Sequence, residues 1–265
     1  MNFDLDPTTP LAGLHLRGMV TRRFLVSYPV DPVLLSDRLP PGAELSLHDG
    51  CAWVSACFVN LKNMRPSVFP RSMGIELNYL IHRTRARLPF PDGKKREAVL
   101  VLEPNLDRLT LGWIGARLTG VGFNYRDIRL IEQEKSWNLV MKDNEEVVYD
   151  AVIPKSSIYP DPSASAHFPS IRSADDFLLG VSYGGQWHAK SNRLRLLAET
   201  HDPWNTLMGE CKTNNNRFLE SLGAETHQLE ADHVISMTNV PHYFALLGSN
   251  VALPTLPFLA DPKVG

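Results

Sequence analysis

The sequence predicts a mainly β fold of the α+β class: an antiparallel, closed or nearly closed barrel with a few short helices on its outside. Three observations carry that expectation. Segments of alternating hydrophobicity, rich in Val, Ile, Phe and Tyr, recur along the chain and read as about eight or nine strands. They follow one another through short turns, without the long helical crossovers that a parallel sheet needs. So many strands would expose bare edges if laid out flat, and closure removes those edges.

Residues 1–17 read as an irregular lead-in, because Pro7 and Pro10 oppose regular structure. Met19 to Tyr28 reads as the first strand. Asp31 and Pro32 open a short helix, Asp31 as a cap accepting backbone N–H bonds and Pro32 preset for the first helical position. Leu39-Pro40-Pro41-Gly42 ends it. Cys51–Leu61 and Ile75–Leu88 alternate as strands, and Asp92-Gly93 turns the second into a return strand, Glu97–Leu102. A helix from Asn105 to Gly120 follows, with Leu106, Leu109, Trp113 and Leu118 as its apolar stripe. Ile128–Gln133, Ser136–Met141 and Val147–Ile153 form a meander turned at Asp143-Asn144. Residues 154–172 read as a long surface connection, and Ser173-Ala174-Asp175-Asp176 as a capping box opening a helix through Leu179. Leu194–Thr200 and Val234–Val240 are the last strands, flanking a helix at Asn216–Leu222. The tail from Val251 reads as extended, and the chain from 1 to 265 as a single domain.

Composition excludes several function classes. A net charge of −2 argues against a general electrostatic grip on nucleic acid. No apolar run approaches the roughly 20 residues of a membrane span, and the acidic start Met1-Asn2-Phe3-Asp4 does not read as a signal peptide. A soluble, cytoplasmic protein is expected. Cys51 and Cys57 on one strand would lie roughly 20 Å apart, too far for a disulfide, and three sparse cysteines suit a reducing compartment. No CxxC, HxxH or HExxH spacing occurs, so no metal site is expected. Gly120-Val121-Gly122 sits in no phosphate-binding or dinucleotide pattern, and no cofactor is expected.

Five constellations could carry chemistry. On the strand after Gly74, Glu76, Asn78, Leu80 and His82 share one face. If that face lines a barrel interior, Glu76 becomes a candidate acid or base with Asn78 orienting a ligand; a solvated polar face is the plainer reading of the pattern. Gly180-Val181-Ser182-Tyr183-Gly184 matches a nucleophile elbow, with Asp202 and His227 or His233 in triad order. The elbow needs a strand before its serine and a helix after it, and the surrounding sequence reads otherwise. Lys94-Lys95 follows Asp92-Gly93 beside Arg96, where water keeps both ammonium groups charged; a Schiff-base lysine needs a lowered pKa. His201-Asp202-Pro203-Trp204 sets a histidine and an indole at a strand end. Tyr125 and Arg126 offer a hydroxyl and a guanidinium, the latter a carboxylate clamp if it points inward.

Several stretches together resemble domain-of-unknown-function family 2071, grouped with the acetoacetate-decarboxylase-like superfamily. They are Val30-Asp31-Pro32 through Gly42, Asp49-Gly50-Cys51-Ala52-Trp53-Val54, Glu76-x-Asn78, the helix running into Phe123-Asn124-Tyr125, and His201-x-Pro203-Trp204. The resemblance spans roughly residues 18 to 248, leaving 249–265 as the tail. It implies a barrel-like acetoacetate-decarboxylase-like core around a small-molecule cavity, and a homo-oligomer. The sequence departs from the family at Leu80, Ile81 and His82, where the strand motif usually reads Arg-Thr-Tyr. It also departs from the decarboxylases: Phe123-Asn124-Tyr125-Arg126 stands where they carry an adjacent lysine pair, and Ser55 where they carry an acidic pocket residue. The expectation is a protein that binds a small carboxylate or carbonyl compound. Glu76 and Arg126 would do acid–base work of a lyase or isomerase without a Schiff base, with Asn78, His82, Tyr125, His201 and Trp204 holding the ligand. A non-catalytic binding or scaffold protein and a serine hydrolase at Ser182 are the alternatives.

Overall fold

The computed structural model describes residues 15–90, 92–108, 122–158, 165–189 and 193–246. Strand β1 (His15–Val30) starts earlier than its hydrophobic pattern suggests, because His15 to Val20 pair with the far end of the chain. Asp31 caps the 3-10 turn Pro32–Arg38, its carboxylate accepting from Val33 N at 2.9 Å. There follow β2 (Glu44–Leu45), β3 (Ala52–Pro66), β4 (Ile75–Pro89) and β5 (Lys95–Leu106). Asn105 and Leu106 finish β5, so Asn105 is not a helix cap. From Leu109 to Gly120 the expected helix lies outside the described residues, as does the tail from Val251. Gly93 takes the left-handed conformation the β4–β5 turn demands.

Next come β6 (Asn124–Tyr125), β7 (Asp127–Glu132), β8 (Ser136–Asp143) and β9 (Glu146–Pro154). Helix α1 (Ile171–Leu178) is capped three residues before the expected position. Ser170 is its cap, and Ser173 is the reciprocal partner of Ser170. Then follow β10 (Tyr183–His188), β11 (Arg193–His201), β12 (Leu207–Gly209), β13 (Lys212–Asn216), helix α2 (Arg217–Ser221), β14 (His233–Met237) and β15 (Val240–Leu246). The single strand expected over Val234–Val240 is thus two strands, turned at Asn239 with φ 56°.

The strands form two sheets. In the larger, hydrogen-bonded neighbours run β1, β15, β11, β10, β5, β4, β3 and back to β1, a ring that consumes the edges of those strands. β12, β14, β2 and β6 attach to it. Pairing is antiparallel except for β10–β5 and β5–β6. The smaller sheet, β13-β9-β8-β7, packs its Leu139, Met141, Tyr149 and Ile153 against Phe24, Val26, Phe58 and Leu80 of the ring.

Two glycines are required by close approach. Tyr183-Gly184-Gly185 reads as a turn in the sequence, yet it is the start of β10. A Cβ on Gly185 would stand 2.7 Å from Leu88 Cδ1 and 3.2 Å from Leu194 Cδ1, so the bare backbone is what lets the strand pack there. A Cβ on Gly209 would meet the Ser157 carbonyl oxygen at 2.5 Å, and that atom is backbone that cannot rotate away. Gly209→Ala is therefore expected to destabilise the fold by roughly 1–3 kcal/mol in urea unfolding. Parental stability would mean that β12 and the Ser157 turn separate freely.

Candidate functional site

The site begins with charged residues on the wrong side of alternating strands. In β1, Arg23 shares a face with Leu25; in β4, Arg83 shares one with Tyr79 and Ile81; in β11, Glu199 shares one with Leu197. Register carries this face around the ring: Arg83 lies opposite Val101, Val101 opposite Gln186, Gln186 opposite Arg195, and His201 opposite His242. Arg23, Arg83 and Glu199 thus stand on three strands that are not neighbours, yet each feels the charge of the others. They meet on one face of the ring.

Glu199 is the hub. Its Oε1 accepts from His242 Nε2 at 2.6 Å and lies 3.9 Å from Arg23 Nη1. Burial alone would raise its pKa, but the hydrogen bond and charge of His242, then Arg23 and Arg83, outweigh it and hold the carboxyl far below the usual range. Its side chain nevertheless keeps 27% of its exposure. Arg23 is buried; its Nε donates to Cys57 Sγ at 3.3 Å. Burial weakens its charge, and Cys57, Glu199 and Tyr79 more than compensate. Arg83, also buried, donates to the Leu178 carbonyl at the end of α1, 3.0 Å away. Among the described residues Arg83 has no carboxylate at ion-pair distance. Burial also raises the Tyr79 hydroxyl well above its ordinary pKa, keeping it protonated as a donor. His242 Nδ1 is buried without a hydrogen-bond partner.

One wall of this cluster is aromatic. His201 stacks on Trp204 with ring centroids 3.4 Å apart and planes 9° from parallel. Trp204 lies 5.7 Å from the His242 ring, and the Arg23 guanidinium stands 5.5 Å from the indole. Of the residues singled out by sequence, His201 and Trp204 are the two that the fold brings to this cluster.

The others lie elsewhere. Glu76, Asn78, Leu80 and His82 do share a face, but it is the opposite one. Leu80 and His82 are buried between the two sheets, and Glu76 is exposed at the strand's start, 3.3 Å from Lys62 Nζ. Asn78 is tied to Asn60 and to Asp107. Tyr125 is exposed, and Arg126 pairs with Asp143 at 3.0 Å. Neither a hydrogen bond nor an ion pair joins Glu76 to Arg126. His82 belongs to a second polar knot. Its Nδ1 donates to Glu103 Oε2 at 2.9 Å, Asn105 Nδ2 donates to the same oxygen at 3.1 Å, and Phe218 stacks on the imidazole.

Ser182 is exposed between α1 and β10, with a helix before it and a strand after it, the reverse of an elbow. Lys94 and Lys95 are exposed at the hairpin, Lys95 paired with Glu44. Among the described residues no lysine is buried, and no group of three or more His, Cys, Asp and Glu side chains has the geometry to hold a metal ion.

What sequence reasoning missed is the inward set: Arg23, Tyr79, Arg83, Glu199 and His242. A signal was present in charged residues set against apolar runs: Arg23 before Phe24-Leu25-Val26, Arg83 after Leu80-Ile81, and Glu199 after Leu196-Leu197-Ala198. Such positions are costly unless paired.

Comparison with known proteins agrees with this architecture. No curated protein matches the chain. An acetoacetate decarboxylase from Legionella pneumophila is similar in structure, with a TM-score of 0.62 at 16% identity over 94% of this chain and 90% of that one. The enduracididine biosynthesis enzyme MppR complexed with pyruvate gives 0.57 at 14% identity, covering 91% of each chain. An acetoacetate decarboxylase-like enzyme from Sphingomonas wittichii gives 0.55 at 14% over 94% and 98%. At these identities the likeness shows the fold. Residues 19–241 match a family profile described as an uncharacterized conserved protein. With most of its length matched by that profile, the chain belongs to domain-of-unknown-function family 2071, and its structural likeness gives it an acetoacetate-decarboxylase-like fold.

Proposed function

We propose that this protein binds a small carboxylate or carbonyl compound on the concave face of the ring, and that His242, oriented by the ionised Glu199, does acid–base chemistry on it without a covalent intermediate. The observation that carries the reading is the charge balance: two buried guanidiniums, Arg23 and Arg83, beside one carboxylate. A ligand carboxylate restores that balance, and charge-assisted hydrogen bonds from planar guanidiniums suit its geometry. Tyr79 O–H is a further donor for a carbonyl oxygen. His242, held by Glu199 through Nε2, is oriented as a histidine acid or base is oriented by a carboxylate. The absence of a buried lysine among the described residues favours this over Schiff-base chemistry. Glu76 and Arg126 are not carried into the proposal, because they face solvent and Asp143.

The test is calorimetric titration with pyruvate. Arg83→Met is expected to weaken binding about 30-fold to 100-fold, the loss of one charged hydrogen-bonding partner. Equal affinity in the variant, or a borohydride-trapped adduct of the parent protein with pyruvate, sinks the proposal.

A further inference from the structure

Strand pairing sets two arginines against each other on the outer face of the ring. Arg17 of β1 stands directly opposite Arg65 of β3, and Tyr243 of β15 stands opposite Arg17 on its other side. Residues paired in this way share a face, whereas successive residues of one strand point to opposite faces. Tyr243 is exposed and its neighbour His242 is buried, so this row faces away from the Glu199 cluster.

Like charges directly opposite across two strands are destabilising, yet here the clash is built in. Arg65 is 6% exposed. Its Nε donates to the Phe69 carbonyl at 3.1 Å and its Nη1 to the Asn63 carbonyl at 2.7 Å, which fixes the guanidinium in place. Arg71, in the 3-10 turn Arg71–Met73 at the tip of the β3–β4 hairpin, adds a third positive charge. Burial lowers the Arg65 pKa, and the charges of Arg17 and then Arg71 lower it further. Among the described residues no carboxylate lies at ion-pair distance from any of the three, and Glu76 on the same hairpin is taken by Lys62. Arg17 Nε is buried without a hydrogen-bond partner, a costly state for a charged donor.

We infer that Arg17, Arg65 and Arg71 form a binding site for a phosphate-type oxyanion, separate from the carboxylate site of the ring. Such an anion cancels the repulsion among the guanidiniums and supplies the acceptor that Arg17 Nε lacks, in a geometry that guanidinium forks match. Free phosphate and the phosphate of a lipid headgroup share this chemistry. Beside the cations the hairpin tip carries bare apolar side chains, Val68 at 86% exposure and Met73 at 57%, which a headgroup layer would cover and a free phosphate would not.

The experiment compares thermal unfolding in sodium phosphate and in sodium chloride of equal ionic strength, for the parent, Arg17→Gln and Arg71→Gln. At about 50 mM phosphate the parent Tm should rise by roughly 4–8 °C over chloride, as for a site of millimolar affinity. General salting effects act on all three proteins alike, so the difference between them reads the site, and each variant should lose at least about half of the rise. If Arg17→Gln does not fold, Arg71→Gln, changed at an exposed position, carries the comparison. No rise in the parent, or the same rise in all three proteins, overturns the inference. Cosedimentation with phosphatidylcholine vesicles containing about one-third phosphatidylserine then separates the two sources. Capture that is lost in both Arg71→Gln and Val68→Ser assigns the site to a lipid headgroup; a phosphate response without capture assigns it to free phosphate.

Discussion

Glu199→Gln should destabilise the protein by about 2–4 kcal/mol at neutral pH, as expected when one partner of a buried charge pair is removed and the other stays. The substitution keeps shape and one acceptor for His242, so the loss reads the charge. Without it, Arg23 has no carboxylate at ion-pair distance among the described residues, and its positive charge stays buried beside that of Arg83. The pH dependence follows from the depressed carboxyl. Its folded pKa lies below the unfolded value near 4.5, so its stabilisation is complete above that value and is lost as pH falls toward the folded one. Urea titrations at pH 7 and on stepwise acidification below about 4.5 should show parent and variant converging. A variant as stable as the parent at pH 7, or a gap that does not narrow in acid, would falsify the assignment of Glu199 as an ionised hub.

The second large effect is expected on the other side of β4, where His82 is fully buried. Glu103→Leu removes the one hydrogen bond the imidazole makes, since its Nε2 already has no partner. A fully buried ring with both nitrogens unsatisfied costs about 2–4 kcal/mol relative to the parent. Burial alone would raise the Glu103 pKa, but the hydrogen bond and charge of His82, then Asn105 and Arg126, hold it low. Its contribution therefore also fades in acid. The double variant His82→Leu, Glu103→Leu removes both polar partners and is expected to recover most of the loss, because the imidazole is packed on Phe218 and near Tyr149. Additive losses in the double variant would show that His82 and Glu103 act independently.

Much of the scaffold was legible because β-sheet chemistry repeats at short range. The alternation in Cys51–Leu61 and Ile75–Leu88, the Asp92-Gly93 turn and the Asp31-Pro32 cap each state their conformation within a few residues. Elements that depend on distant partners were not. The Gly184-Gly185 strand exists because leucines from β4 and β11 fill the space beside it, a fact no local window contains. Residues 15–18 are strand because β15 pairs with them.

The candidate site was legible only at its rim. His201-x-Pro203-Trp204 announces itself as an unusual cluster, and both rings do stand at the inward set. Glu76 and Asn78 misled because alternation tells which residues share a face, never which face turns inward. The opposite face of the same strand supplies Tyr79 and Arg83. Their partners Arg23, Glu199 and His242 come from three other strands, and only closure of the ring brings them together.

The most direct test of the central claim is a crystal structure of the protein soaked with pyruvate or benzoate. The account predicts the ligand carboxylate at about 3 Å from a guanidinium nitrogen of Arg23 or Arg83, on the side of Glu199 that remains exposed. Ligand bound beside Glu76 or elsewhere outside the ring, with the arginines untouched, contradicts it.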